Sequence, residues 1–180
     1  LDSPEWDVLI DVDRLAADDD TNWVWAGADV IEPDHTRALV SLSRGGSDAA
    51  VVREFDMSTG EFVAHGFTVE EAKTRIGWAD EDTVLIGTDF GPGSLTESGY
   101  PRIVKRWRRG QPLADAETVF SGAATDVVVG ASADRTPGFE RTFVRRATDF
   151  FHDEIYQLRD GELIRIDAPG AKPGTKPMML

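Results

Sequence analysis

The stretch AVVREFDMSTGEFV, residues 50–63, decides the fold because its pattern occurs three times in the chain. An apolar strand, a turn and a shorter apolar strand follow one another, and the same order appears in residues 103–120 and 154–166. Phe55, Trp107 and Leu158 occupy matching places, with spacings of 52 and 51 residues. Alternating β-branched and aromatic residues of this kind are typical of strands. The chain is therefore predicted to be all-β and built from a repeat.

The repeat is larger than a hairpin. Another strand precedes each hairpin, and the last two of these strands end in the same tripeptide, Thr-Asp-Phe, at residues 88–90 and 148–150. With an inner strand before it, the unit is four antiparallel strands in about 50 residues, the pattern of a β-propeller blade. A β-sandwich with accidental similarity is the alternative, but sandwiches seldom repeat a hairpin position so closely. Propellers close with about four to eight blades, so three blades predict an incomplete propeller.

The blades give the predicted division of the chain. Two short segments, DRLAADDD and TVEEAKTR, have helical character over a turn or two. EWDVLID reads as the outer strand of a preceding blade. The predicted parts are an outer strand with an acidic linker (1–22), three blades (23–67, 68–121 and 122–168) and a terminal stub or linker (169–180).

Composition limits the partners. The chain has 33 acidic and 19 basic residues, a net charge of −14, which disfavours nucleic acid as a partner. No apolar run approaches the length of a membrane span. There are no cysteines, and the three histidines lack metal-ligand spacing, so no metal or other cofactor is expected.

The first residue is Leu1 rather than an initiator Met, which predicts a piece of a longer polypeptide. The blades at its two ends would expose faces able to self-associate. The cytoplasm is favoured as compartment, and the periplasm is not excluded.

One connection is much longer than a hairpin requires. TDFGPGSLTESGYPR, residues 88–102, joins the second and third strands of the second blade. Its counterparts are residues 43–49 and 147–154, and all three are expected on one face of the propeller. Long loops in compact domains are usually functional or disordered. The candidate substrate-binding or interdomain residues on that face are Asp89, Tyr100, Arg102 and Asp149.

The segments TNWVWAGADV, RALVSLSRGGSDAAVVREFD and residues 70–110, which include the long loop, resemble the propeller of bacterial prolyl oligopeptidases. The resemblance covers about residues 6–167. It implies a seven-bladed propeller that covers a C-terminal α/β-hydrolase domain of the same chain. That domain would carry a Ser/Asp/His triad and cleave short proline-containing peptides, with access gated by the propeller. The related subfamilies are not separated by these residues.

The chemistry itself is not expected in these 180 residues. A nucleophile elbow needs G-x-S-x-G on a strand-to-helix turn, and the nearest approach, residues 45–49, lies in a hairpin loop. No catalytic residue is therefore assigned, and the chain by itself is expected to be inactive although its parent is expected to be a serine peptidase. The alternative from another class is a stand-alone propeller that binds protein or carbohydrate.

Overall fold

A computed structural model describes residues 7–167. Thirteen strands and one short α-helix make up most of this part, and they form three separate antiparallel sheets. By their contacts the chain divides into two compact units after Ala72. The first unit holds one sheet and the second unit holds two. The prediction of all-β blades from an incomplete propeller is confirmed.

The first sheet is a meander with one added strand. Its order is β1-β2-β3-β4, and β5 also pairs with β3, along residues 50–53, whereas the short β4 pairs with residues 55–56. The strands are β1 (Trp23–Val30), β2 (Arg37–Arg44), β3 (Ala50–Asp56), β4 (Glu61–Phe62) and β5 (Thr68–Ala72). Its core contains Trp23, Val40, Leu42 and Phe55. The β3–β4 hairpin lies where the sequence predicts it.

A helix, α1 (Val12–Asp18), packs on β1. Asp11 caps it by accepting a 3.0 Å hydrogen bond from the backbone N–H of Arg14, and apolar side chains such as Leu15 pack on the first core. The helical prediction for DRLAADDD is confirmed. The strand predicted at 6–10 is wrong over its described residues, since 7–10 are irregular. In place of a linker, this segment forms a helix that covers apolar surface of β1.

The second helical prediction, for TVEEAKTR, is wrong. Residues 68–72 form β5 because Val69 is buried against Val52 of β3, and this sheet contact outweighs the helical propensity of Glu and Ala. The strand therefore belongs to the first sheet, whereas the sequence analysis counted residues 68–72 with the second blade.

The second unit holds two four-stranded meanders. Their orders are β6-β7-β8-β9 and β10-β11-β12-β13. The strands of the second blade are β6 (Arg75–Asp80), β7 (Thr83–Gly87), β8 (Ile103–Arg108) and β9 (Glu117–Ser121). A single 3₁₀ turn, Leu113–Asp115, precedes β9. Those of the third blade are β10 (Val128–Asp134), β11 (Arg141–Ala147), β12 (Asp153–Arg159) and β13 (Glu162–Arg165).

The two blades of the second unit share a core. The inner strand β10 packs against β6, β7 and β8. Val104, Val129 and Val144 are fully buried at this contact, and Phe120, Tyr156 and other partly buried residues surround them. Side chains from both sheets thus interdigitate as layers of a propeller do.

Candidate functional site

The long loop, residues 88–102, is built by its own hydrogen bonds. Asp89 begins it, accepting a bond from the N–H of Gly91 at 2.8 Å. Ser94, which is 3% exposed, accepts from the N–H of Phe90 at 2.9 Å and donates to the carbonyl of Gly91 at 2.7 Å. Gly91 and Gly93 have φ angles of +101° and +81°, which L side chains rarely adopt. The loop is therefore an ordered structure with a specified path.

Thr96 holds the far half of the loop. It is 5% exposed, and its Oγ1 accepts from the N–H of Tyr100 at 3.2 Å and donates to the carbonyl of Val127 at 3.2 Å. Its backbone N–H donates to the carbonyl of Tyr100 at 2.8 Å. The N–H of Glu97 reaches the carbonyl of Ala124 at 2.8 Å. The loop is thereby fixed to the connection between β9 and β10, so both connections lie on the same side of these two blades.

Arg102 braces the root of the loop. Its Nε donates to the carbonyl of Gly93 at 2.8 Å, and its Nη1 donates to the carbonyl of Gly122 at 2.7 Å. Its backbone carbonyl accepts from the N–H of Gly122 at 2.8 Å. The side chain is half-buried and forms no ion pair within residues 7–167. A guanidinium that joins two backbone segments orders the loop relative to the connection between β9 and β10.

Tyr100 lies among cations. Lys73 Nζ is 4.3 Å from the centroid of the Tyr100 ring, and Arg75 Cζ is 5.6 Å from it. At the other end of the loop, Lys105 Nζ is 4.7 Å from the ring of Phe90. These distances suit cation–π contact. Three cationic side chains thus border the aromatic residues of a loop that itself carries Asp89 and Glu97.

Asp149 organises the corresponding turn of the third blade. Its carboxylate accepts from the N–H groups of Phe151 at 2.7 Å and His152 at 2.9 Å, and it lies 2.7 Å from His152 Nδ1. The Phe151 hydrogen bond, followed by the His152 side chain, lowers the pKa of Asp149. Beside it, Phe150 and Phe151 are 88% and 73% exposed. The two Thr-Asp-Phe tripeptides therefore share one local role, in which Asp caps the loop that follows it.

Of the four candidate residues, three share one loop: Asp89, Tyr100 and Arg102. Asp149 belongs to a different turn, and its hydrogen bonds within the described residues remain in that turn. Asp89 and Asp149 are exposed, whereas Tyr100 and Arg102 are half-buried. No three His, Asp or Glu side chains among residues 7–167 are arranged to hold a metal ion, and none of the helices there is long and apolar enough to cross a membrane.

Sequence reasoning missed a buried charged network next to the loop. Asp126, which is 4% exposed, receives two hydrogen bonds from Arg146, at 2.8 and 2.9 Å, and a third from the N–H of Ala123 at 2.7 Å. Arg146 also donates to Glu154 at 3.1 Å, which accepts from the hydroxyl of Tyr156 at 2.8 Å. Arg146 lowers the pKa of Asp126, and the bond to Glu154 raises the pKa of Tyr156. Arg146 and Glu154 face each other across β11 and β12, so a correct prediction of strand register would have paired them. Nothing in the sequence identifies Asp126 as the second partner of Arg146.

Comparisons with known proteins agree with this architecture. The family model of the prolyl oligopeptidase N-terminal β-propeller domain matches residues 1–149. "Uncharacterized peptidase y4nA" of Sinorhizobium fredii is 38% identical over 155 residues, 85% of this chain and 21% of that protein. An uncharacterized peptidase of Rickettsia prowazekii is 27% identical over 167 residues, 87% of this chain and 23% of that protein.

Solved structures of two peptidases share the fold of this chain. A post-proline cleaving enzyme from Rickettsia typhi superposes with a TM-score of 0.84 at 26% identity, over 96% of this chain and 26% of that one. Oligopeptidase B from Leishmania major, at 14% identity and a TM-score of 0.63, covers 92% of this chain and 22% of its own and shares the fold. The chain thus spans about a quarter or less of the proteins that it matches. It belongs to the prolyl oligopeptidase family, where it corresponds to part of the N-terminal β-propeller domain.

Proposed function

We propose that this propeller portion gates substrate access in a serine peptidase that cleaves short proline-containing peptides. The observation that carries the proposal is the close superposition on a post-proline cleaving enzyme, together with the family match over residues 1–149. The catalytic partner in this proposal is an α/β-hydrolase domain in the same polypeptide, carrying the Ser/Asp/His triad.

The long loop supports a positioning role in that gate. A loop used for recognition works best when its shape is fixed before the ligand arrives. Ser94, Thr96 and Arg102 fix it through buried or half-buried hydrogen bonds. The cations Lys73, Arg75 and Arg102 at its edge would favour the carboxylate end of a short peptide.

The third blade supplies a surface of a different kind. Phe150 and Phe151 are largely exposed in its β11–β12 loop, and adjacent exposed aromatic residues are typical of contact surfaces. In the proposal, this aromatic pair meets the partner domain, while the loop of the second blade borders the opening through which peptides pass.

Paired substitutions in the full-length parent protein test this role. Arg102→Ala is expected to lower kcat/KM for a short proline-containing peptide by about tenfold, because the substitution removes a charged hydrogen bond. Glu97→Ala alters the exposed surface of the loop without removing a side-chain hydrogen bond, so it should not change the stability of the fold. A lower kcat/KM in this variant would therefore reflect gating rather than loss of folded protein. Arg159→Ala, at the opposite end of the third blade, is the control and should leave turnover unchanged.

The assay is made well below the lowest melting temperature of the three variants. Unchanged kcat/KM in both loop variants, with Arg102→Ala merely melting earlier, would show that the loop is a structural brace and would contradict the gating proposal. Absence of proline-directed cleavage in the parent protein would contradict the substrate class.

A further inference from the structure

A second site lies away from the long loop, at the hairpin between β8 and β9. A cavity of about 610 Å³ opens there. It is lined by Arg106, Arg108, Arg109, Gly110, Gln111 and Glu117. The polar groups of this lining are three guanidinium groups, one amide and one carboxylate, which suit a charged ligand. Three guanidinium groups against a single carboxylate give the cavity a positive charge within a chain of net charge −14.

The chain's own acidic residues neutralise these arginines only in part. Arg109 is fixed by Asp82, with Nε 2.9 Å from Oδ1. Arg106 approaches Glu117 only to 3.9 Å, and the Glu117 side chain is 71% exposed, so that ion pair is weak. Arg108 is exposed, and its side chain has neither a hydrogen bond nor an ion pair within residues 7–167. Two of the three guanidinium groups therefore retain unused donors.

The backbone that carries these arginines is rigid. Trp107, between Arg106 and Arg108, is 8% exposed, and its Nε1 donates to the carbonyl of Gln111 at 2.7 Å. The N–H of Gln111 returns to the carbonyl of Arg108 at 3.1 Å, and its side-chain amide donates to the carbonyl of Asp115 at 2.7 Å. A fixed turn reduces the entropy lost when its side chains close on a ligand.

The chemistry of the lining selects the ligand class. Guanidinium groups present parallel N–H donors that match phosphate oxygens in pairs. The volume lies within the usual range of small-molecule sites, about 300–1,000 Å³. We propose that this cavity binds a small anion with adjacent phosphate groups, with Arg106 and Arg108 as the main contacts and Arg109 as a fixed third charge. The proposal is independent of the proposed peptidase function.

Calorimetric titration of the 180-residue chain with pyrophosphate, in low salt, tests the site. Saturable binding to one site is expected, with the affinity reduced at least about tenfold in Arg108→Gln, since one charged hydrogen-bonding group is lost. Glu117→Gln removes the only carboxylate in the lining and should strengthen binding. Arg159→Gln is the matched control, because Arg159 is also exposed at the end of the third strand of its blade. It should bind pyrophosphate with the same affinity as the unsubstituted 180-residue chain.

Thermal melting of each variant without ligand ensures that only folded protein is compared. Arg108 and Glu117 make little contact with the core, so their variants should melt with the parent chain. Titration with tricarballylate separates phosphate from carboxylate ligands, and much weaker binding of the tricarboxylate is expected. Equal binding of the two anions would overturn the phosphate assignment. No saturable pyrophosphate binding, or equal affinity in Arg108→Gln and the parent, would overturn the site.

Discussion

Arg146 donates two hydrogen bonds to the carboxylate of Asp126, from Nε at 2.8 Å and from Nη2 at 2.9 Å. The Asp126 side chain is only 2% exposed, and that of Arg146 is 27% exposed. Asp126 precedes β10 and Arg146 lies on β11, so the pair ties the entry of the third blade to its second strand. Because a buried carboxylate needs a compensating charge, removal of either partner should destabilise the third blade.

Arg146→Ala should destabilise the chain strongly, on the order of 3 kcal/mol, because it leaves a buried carboxylate without its counter-charge. Arg145→Ala is the matched control. Arg145 is the neighbouring residue, and its pair with Asp153 is more exposed, so its loss should cost less than about 1 kcal/mol. Urea unfolding of both variants measures the difference. Equal losses would show that the Asp126 pair is no stronger than a surface ion pair.

Acid should remove the contribution of Asp126. Its pKa is lowered in the folded chain by the Arg146 hydrogen bonds, so the folded form binds the proton less readily than the unfolded form. The resulting stability is present above the unfolded pKa, about 3.9, and is lost as the pH falls through the lower folded pKa. Asp126→Asn should therefore show a flatter decline in unfolding free energy from about pH 5 downward. Parallel declines in urea titrations of parent and variant would exclude this linkage.

Thr96→Val should loosen the long loop. The substitution keeps the shape of the side chain but removes the Oγ1 that serves the N–H of Tyr100 and the carbonyl of Val127. An unsatisfied buried group costs about 1–3 kcal/mol. Hydrogen exchange of the amide of Tyr100 should accelerate together with that loss. Thr118→Val, at an exposed position on β9, is the control. It should change neither the free energy of unfolding nor the exchange rate of the Tyr100 amide.

Gly122→Ala should destabilise the second unit. A Cβ at this position would lie 2.5 Å from Asp126 Oδ2 and 2.8 Å from Val129 Cγ2, and the carboxylate cannot retreat without losing its bonds to Arg146. Crowding of this kind costs about 1–3 kcal/mol. Gly130→Ala provides the comparison, since its nearest new contact would be 3.8 Å from Arg75, and it should be close to neutral. A neutral Gly122→Ala would show that the Asp126 site is adaptable.

The sequence by itself determined the blades. Hairpin repeats at a spacing of 52 and 51 residues follow from alternation of apolar residues, and alternation fixes which side of each strand is buried. Phe55 and Trp107 are buried as that pattern requires. Local chemistry also placed α1 and the long loop, because caps and turns depend on residues close in sequence.

The tertiary structure decided what the pattern left open. Residues 68–72 form a strand because they pair with a free edge of β3. That edge lies too far away in the sequence for a prediction from local residues to include it. The sequence predicts Arg102 only as a substrate-binding or interdomain residue, whereas the structure gives the partners of its guanidinium, the carbonyls of Gly93 and Gly122. Asp126 and Arg146, 20 residues apart, meet because β10 pairs with β11, which places Val128 opposite Ala147. The periodicity of the sequence predicts which side chains are buried. Which polar groups pair with one another depends on distances that are fixed only when the strands pair and the blades pack.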